Sequence, residues 1–330
     1  KGWNPDAWTD RGKTSPGGRG NDGPSSSFPT MIRPSSTVGS TSTILTELRN
    51  NSKSVFGQAN ARLGERAELI AGVRRSWDRQ SYNRIASAGG IGETTLESSQ
   101  TTGKPALNYD LTDDVMGYVS ASKGYKAGGA NLPLAAPAYG PESNYVYEAG
   151  LKSTLFDRRL RLNAAAFYSD YRDMQLASLA NGLPLTQNAA SGEAIGFELE
   201  AVALLGNLSI NAGLGWLQAE FGEDALLQNT LTNQNQLVQA GSVLPFSPEV
   251  TFNAGVQYDI ELGDKLLSPR LQWNYISKSY ATPFTVDRTE VSSRSVVDAK
   301  LSLRYNDNLS FDAFVNNIFD ETYSTMQLVN

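Results

Sequence analysis

The chain has 330 residues, 40% of them hydrophobic and 19% charged, and carries a net charge of −6. It contains no cysteine and no histidine, which removes disulfides, thiolate metal sites and the commonest general base together. An acidic balance of this size argues against a nucleic-acid partner, since such proteins need a basic face.

No apolar run reaches the roughly eighteen residues of a transmembrane helix, which leaves open a transmembrane barrel, whose strands alternate. The opening KGWNPDAWTD shows no basic segment followed by an apolar one. A signal peptide is therefore either already removed, or the chain begins mid-protein. Residues 1–50 are rich in Gly, Ser, Pro and Thr (TSPGGRGNDGPSSSF, RPSSTVGSTST) and are expected to form a long loop or a poorly ordered segment. Residues 51–330 are expected to form a partial β-barrel.

From Ser54 onward the pattern is regular. SVFGQANARL pairs with ELIAGVRRSW across Gly-Glu-Arg-Ala, KPALNYDL with VMGYVSASK across Thr-Asp-Asp, and YVYEAGLKSTL with LRLNAAAFYS across Phe-Asp-Arg-Arg. AIGFELEAVALL pairs with LSINAGLGWL across Gly-Asn, VTFNAGVQYDIEL with LLSPRLQWNYIS across Gly-Asp-Lys, and SVVDAKLSLRY with LSFDAFVNNIF across Asn-Asp-Asn. Gly, Asn and Asp tolerate the positive φ of tight hairpin turns. The connections between hairpins span roughly 78–103, 124–143, 170–193, 218–248 and 278–294. Short turns and long loops thus alternate, as they do in an outer-membrane barrel with its turns in the periplasm and its loops outside.

The strand faces agree. In TFNAGVQYDIEL (251–262), Phe252, Ala254, Val256, Tyr258, Ile260 and Leu262 alternate with Thr251, Asn253, Gly255, Gln257, Asp259 and Glu261. Twelve residues at about 3.4 Å each, tilted by roughly 40°, span about 30 Å, the thickness of bilayer hydrocarbon. Apolar-face aromatics sit near strand ends: Tyr258 and Tyr305 beside short turns, and Tyr145, Tyr168, Trp216 and Tyr275 beside long loops. Girdles at both interfaces have this arrangement. The fold class expected is therefore all-β, a transmembrane antiparallel up-and-down barrel wall of about twelve strands. Its first and last strands both end on the long-loop side, whereas complete barrels keep both termini in the periplasm. The expectation is an open fragment with its gap between Ser54–Leu63 and Leu309–Phe319.

Six segments in order resemble the C-terminal barrel of the TonB-dependent outer-membrane receptors. They are KSVFGQANARLGERAELIAGVR, YVSASKGYKAGGAN, GPESNYVYEAGLKSTLFDRRLRLNAAAFYSDYRDMQL, NAASGEAIGFELEA, GSVLPFSPEVTFNAGVQYD and FVNNIFDETY. The resemblance implies a parent barrel of twenty-two strands in the bacterial outer membrane, active import of a scarce nutrient, most simply a ferric siderophore, and energy from TonB. It implies no cofactor and no enzymatic step. The plug that contacts TonB and the last strand, with its terminal aromatic, have no counterpart in this sequence. A passive substrate-selective porin is the alternative, as are cobalamin, haem or glycan as cargo.

Ligand capture is expected in the loops at the outer mouth. Arg79, Tyr82, Arg84, Lys126, Tyr139, Tyr280, Arg288 and Arg294 supply the Arg, Lys and aromatic groups that suit an anionic chelate. The loop 218–248 carries Glu220, Glu223 and Asp224 with no Lys or Arg, so the mouth is not uniformly basic. Glu148, Lys152, Glu198, Glu200, Asp298, Lys300, Arg304 and Asp312 fall on the inward face, where they can pair across strands or meet a plug. Glu198 and Glu200, two apart, read as lumen-lining acids rather than a catalytic pair. KGYKAGG lacks phosphate-loop spacing and reads as a tight bend.

Overall fold

The computed structural model describes residues 44–86, 91–131, 137–180, 183–229, 234–285 and 287–325. They are almost entirely strand. In chain order these are β1 (Ile44–Leu63), β2 (Ala67–Ala86), β3 (Ile91–Thr112), β4 (Val115–Lys126), β5 (Glu142–Leu155), β6 (Leu160–Ala180), β7 (Leu183–Leu205) and β8 (Leu208–Phe221). Then follow β9 (Ala225–Asn229), β10 (Gln234–Val238), β11 (Val250–Tyr258), β12 (Ile260–Leu262), β13 (Lys265–Ile276), β14 (Ser279–Tyr280), β15 (Glu290–Val291), β16 (Arg294–Asn306) and β17 (Leu309–Val315). One 3-10 turn, Asp287–Thr289, precedes β15.

Sequential antiparallel pairing builds one sheet in the order β1-β2-β3-β4-β5-β6-β7-β8-β11-β13-β16-β17, and β12 continues β11 past a break at Asp259. The six hairpins expected from the sequence all form. Gly206 and Gly263 take φ of 64° in their turns, a conformation closed to most side chains. The order ends at β1 and β17, and among the described residues no ladder joins them. The wall is open, with the gap where the sequence placed it.

Strand length departs from expectation. The β2–β3 ladder runs up to Ile85↔Ile91, and the β6–β7 ladder up to Ala180↔Leu183. Most of the connections 78–103 and 170–193 are therefore strand, not loop. β1 likewise begins at Ile44, ten residues before Ser54, so 44–50 belong to a strand. Residues 1–43, the rest of the segment expected to be a loop, lie outside the described residues. The reason is local. Above the apolar band neither face meets hydrocarbon, so alternation lapses while backbone hydrogen bonding continues.

The register fixes two faces. Val256 aligns with Ile210 and Leu271, Leu271 with Ala299, and Leu301 with Ala313. On the far side Leu107 aligns with Leu69 and Val119, and Ala149 with Ala166. These apolar side chains are uncovered, with Leu151, Leu271 and Leu301 among the exposed large hydrophobics. A side chain of this kind left in water forfeits about 1.5–3 kcal/mol, so a face built this way needs hydrocarbon against it.

Aromatic residues and cations bound that face. At the short-turn rim, Lys265 Nζ lies 4.1 Å over the Tyr305 ring. At the opposite rim, Lys123 Nζ and Arg172 Cζ lie 5.2 and 4.7 Å over Tyr145. The ten steps of β5 from Tyr145 to Leu155 amount to about 33 Å of strand, or about 25 Å along the membrane normal at a 40° tilt.

Above the long-loop rim the projecting ladders gather a small core. Met174, Ala190, Phe221, Ala225, Leu227, Val238 and Phe284 pack together, joining the β6–β7 projection to the β9–β10 hairpin and to the 282–289 segment. Buried Thr289 donates its hydroxyl to the Phe284 carbonyl at 2.8 Å.

Candidate ligand path on the polar face and mouth

The alternation that turns apolar residues to one side lines the other side with polar ones. Between β1 and β5 this polar face holds a hollow of about 760 Å³. Its wall includes Gln58, Arg74, Lys104, Asn108, Tyr118, Ser120, Glu148 and Lys152. Lys152 Nζ sits 5.3 Å over the Tyr118 ring, which orients the ammonium without neutralising it. Of the four cations in this lining, Lys123 turns to the apolar face by strand parity, which leaves Arg74, Lys104 and Lys152 against the single carboxylate Glu148. The hollow therefore favours an anionic guest.

Glu148 and Lys152 thus meet in one hollow, whereas the other lumen candidates are spread along the wall. Glu198 faces Gly215 and Glu200 faces Gly213 across the β7–β8 ladder, so neither meets a cation on that strand. Lys300 Nζ pairs with Asp312 at 3.1 Å, and Ser302 also donates to Asp312. Asp298 accepts the Asn317 backbone N–H at 2.8 Å and so anchors the turn after β17. Arg304 aligns with Leu266 and Ser310 near the short-turn rim and is exposed.

The mouth candidates fare differently. Arg79, Tyr82 and Arg84 are strand residues of β2, not loop residues. Arg79 lies on the membrane-facing side in a 2.9 Å ion pair with Glu97. Tyr82 is 8% exposed and donates its hydroxyl to Gln80 at 2.7 Å, so it is a packing group rather than a free contact. The side chains of Arg84 and Arg288 lie outside the described residues. Tyr139 pairs through its backbone with Gly129 at 2.9 and 3.0 Å. Burial, helped by the neighbouring Tyr82 hydroxyl, pushes the Tyr139 phenol above its ordinary range.

Lys126 ends β4 and is exposed. Tyr280 carries Lys278 at 5.8 Å over its ring, and Arg294, the first residue of β16, lies 5.2 Å over Tyr323.

The segment between β4 and β5 is clamped against the β6–β7 projection. Asn131 donates to the Pro137 and Thr186 carbonyls at 2.8 and 2.7 Å and accepts the Thr186 N–H at 2.7 Å. Gln175 donates to the Ala127 and Gly140 carbonyls, and Asn188 holds Gly140 through its N–H and its carbonyl. Gly128 is required here, since an added Cβ would overlap the Tyr139 backbone carbonyl, and at Gly129 it would crowd the Tyr139 hydroxyl. The tight bend expected of KGYKAGG is thus a close approach of two segments.

Sequence reasoning missed Arg74, Lys104 and Arg270 on the polar face. Arg270 bridges Asn211 at 2.8 Å and Gln272 at 2.7 Å. A signal existed for Arg74: adjacent Arg74 and Arg75 on one strand must point to opposite faces. Lys104 lies where Pro105 interrupts the pattern, and no parity rule carries through that position.

The family described as TonB dependent receptor-like, beta-barrel, matches residues 4–318. The pesticin receptor of Yersinia enterocolitica is 28% identical over 276 residues, covering 81% of this chain and 39% of that protein. The catecholate siderophore receptor Fiu of Escherichia coli is 26% identical over 292 residues, covering 78% of this chain and 36% of that protein. The chain thus spans less than two-fifths of the length of these relatives. In fold it is similar to the crystal structure of the ferric yersiniabactin uptake receptor FyuA from Yersinia pestis. The TM-score is 0.75 at 23% identity, over 88% of this chain and 44% of that one.

Proposed function

The chain belongs to the TonB-dependent receptor β-barrel family, an outer-membrane family of transport receptors, and from that premise we propose that it forms wall and mouth of a receptor importing a ferric siderophore. The observation that carries this reading is similarity over about four-fifths of the chain to a receptor named for a catecholate siderophore and to one named for pesticin. The polar hollow supports it, because a surplus of cations beside Tyr118 suits an anionic metal chelate. On this reading Arg74, Lys104 and Lys152 line the passage, while Lys126, Tyr280 and Arg294 are contacts at the mouth. Energy comes from TonB acting through a plug, no part of which is among the described residues, and the chain performs no catalytic step.

The test is uptake of radiolabelled iron on defined siderophores by cells carrying or lacking the full-length gene. Loss of uptake on deletion, and equal loss when TonB is removed, are the expected results. Uptake that persists without TonB would replace the receptor with a passive pore. Iron uptake indifferent to the deletion would remove the iron cargo.

A further inference from the structure

Basic side chains stand on the lipid side of this wall just above its apolar band, where a transport path has no use for them. On β2 the membrane-facing set continues upward from Val73 to Arg75, Trp77 and Arg79, and on β1 to Lys53, which aligns with Trp77. Two strands away, Lys123 aligns with Gly103 on the same face. Arg79 and Arg172 are neutralised by Glu97 and Asp170. Arg75 and Lys123 join no ion pair among the described residues. The Arg75 guanidinium instead donates to Thr101 at 2.8 Å and Ser99 at 2.6 Å and lies 5.9 Å over Trp77, so two hydroxyls and an aromatic ring hold a full positive charge in place.

Directly below these cations the apolar face is dented. Pro105 has no N–H to donate, and β3 and β4 leave residues 104–105 out of their ladder. The dent holds about 350 Å³, floored by Gly103, Pro105 and Ala121 and walled by Val73 and Tyr147, with Lys123 at its lip. Strand spacing and rise put the Cα atoms of Arg75 and Lys123 about 12 Å apart, within joint reach of one headgroup.

We propose that this is a lateral binding site for an anionic, phosphorylated lipid of the outer leaflet, with an acyl chain in the dent and phosphate between Arg75 and Lys123. The site rests on the outer-membrane placement and not on the cargo.

The test uses the full-length receptor, purified in detergent, stripped of lipid and titrated with purified lipid A, with bound lipid read by native mass spectrometry. Wild type should take up lipid A, and the double variant R75Q/K123Q should bind it roughly twentyfold more weakly, each single variant about fivefold. A121W fills the dent and keeps both charges, so it should lose lipid A while leaving any inorganic phosphate binding unchanged. K265Q, a cation at the opposite rim, should leave lipid A binding as it is. Heat-modifiable gel mobility reports folding, and the single variants keep the question decidable should the double variant misfold. Lipid A binding equal in wild type and R75Q/K123Q would overturn the proposal. Inorganic phosphate displacing the lipid, with A121W binding lipid A as wild type does, would assign the cluster to a soluble anion and overturn it too.

Discussion

Arginine at Leu301 probes which face of this wall meets lipid. Leu301 is 45% exposed on the apolar side of β16, flanked across the ladder by Pro269 and Ala313. It stands four steps from Tyr305 at the short-turn rim and six from Ser295 at the other. Four steps are about 13 Å of strand, or about 10 Å of depth at a 40° tilt, so Leu301 lies within about 3 Å of the centre of a 25 Å band. Arginine there should cost about 2–4 kcal/mol, and 3 kcal/mol is about 150-fold in the folding equilibrium. The next residue, Ser302, turns to the polar face and donates to Asp312. S302R loses that hydrogen bond to an exposed carboxylate but sets a cation beside the same group, so its effect should be much smaller than that of L301R. The assay is equilibrium unfolding of the full-length receptor in lipid bilayers, with wild type, L301R and S302R side by side. Equal losses in the two variants would refute the assignment of faces, and with it the membrane reading of β16.

Two further outcomes concern the outer segments. G129V should displace the segment between β4 and β5, because its side chain would meet the Tyr139 hydroxyl and then that of Tyr82. The cost should be about 1–3 kcal/mol, seen as faster hydrogen exchange around Tyr139 with the barrel strands unaffected. F221A removes the 1%-exposed centre of the outer core and should cost about 3–5 kcal/mol of local stability. Its readout is protease cleavage in the β9–β10 region; if cleavage there is unchanged, that cluster does not hold the hairpin down.

Much of this architecture was legible in residues 54–319, because within a membrane band the two faces of a strand meet different solvents. That contrast writes period-two alternation into strands such as VTFNAGVQYDIEL and SVVDAKLSLRY, and the Gly, Asn and Asp turns between them set the hairpin order. The lumen candidates follow from the same parity. Legibility stopped where the contrast stopped. ILTELRNNSK and RQSYNRIA carry no alternation, since at that height neither side of the wall meets hydrocarbon, yet they form the upper halves of β1 and β2.

What the sequence alone determined, then, was the set of twelve wall strands, their pairing order, the two faces and the gap between the first strand and the last, all consequences of local patterning against a two-phase surrounding. The tertiary structure decided what depends on neighbours far apart in the chain. It made Tyr82 a packing group under Gly129 and Tyr139, tied Arg79 to Glu97, and clamped the segment after β4 through Asn131 and Gln175. It also brought Arg74, Lys104 and Lys152 to one hollow from three strands, because register between strands, which no single segment encodes, sets which side chains share a height on the wall.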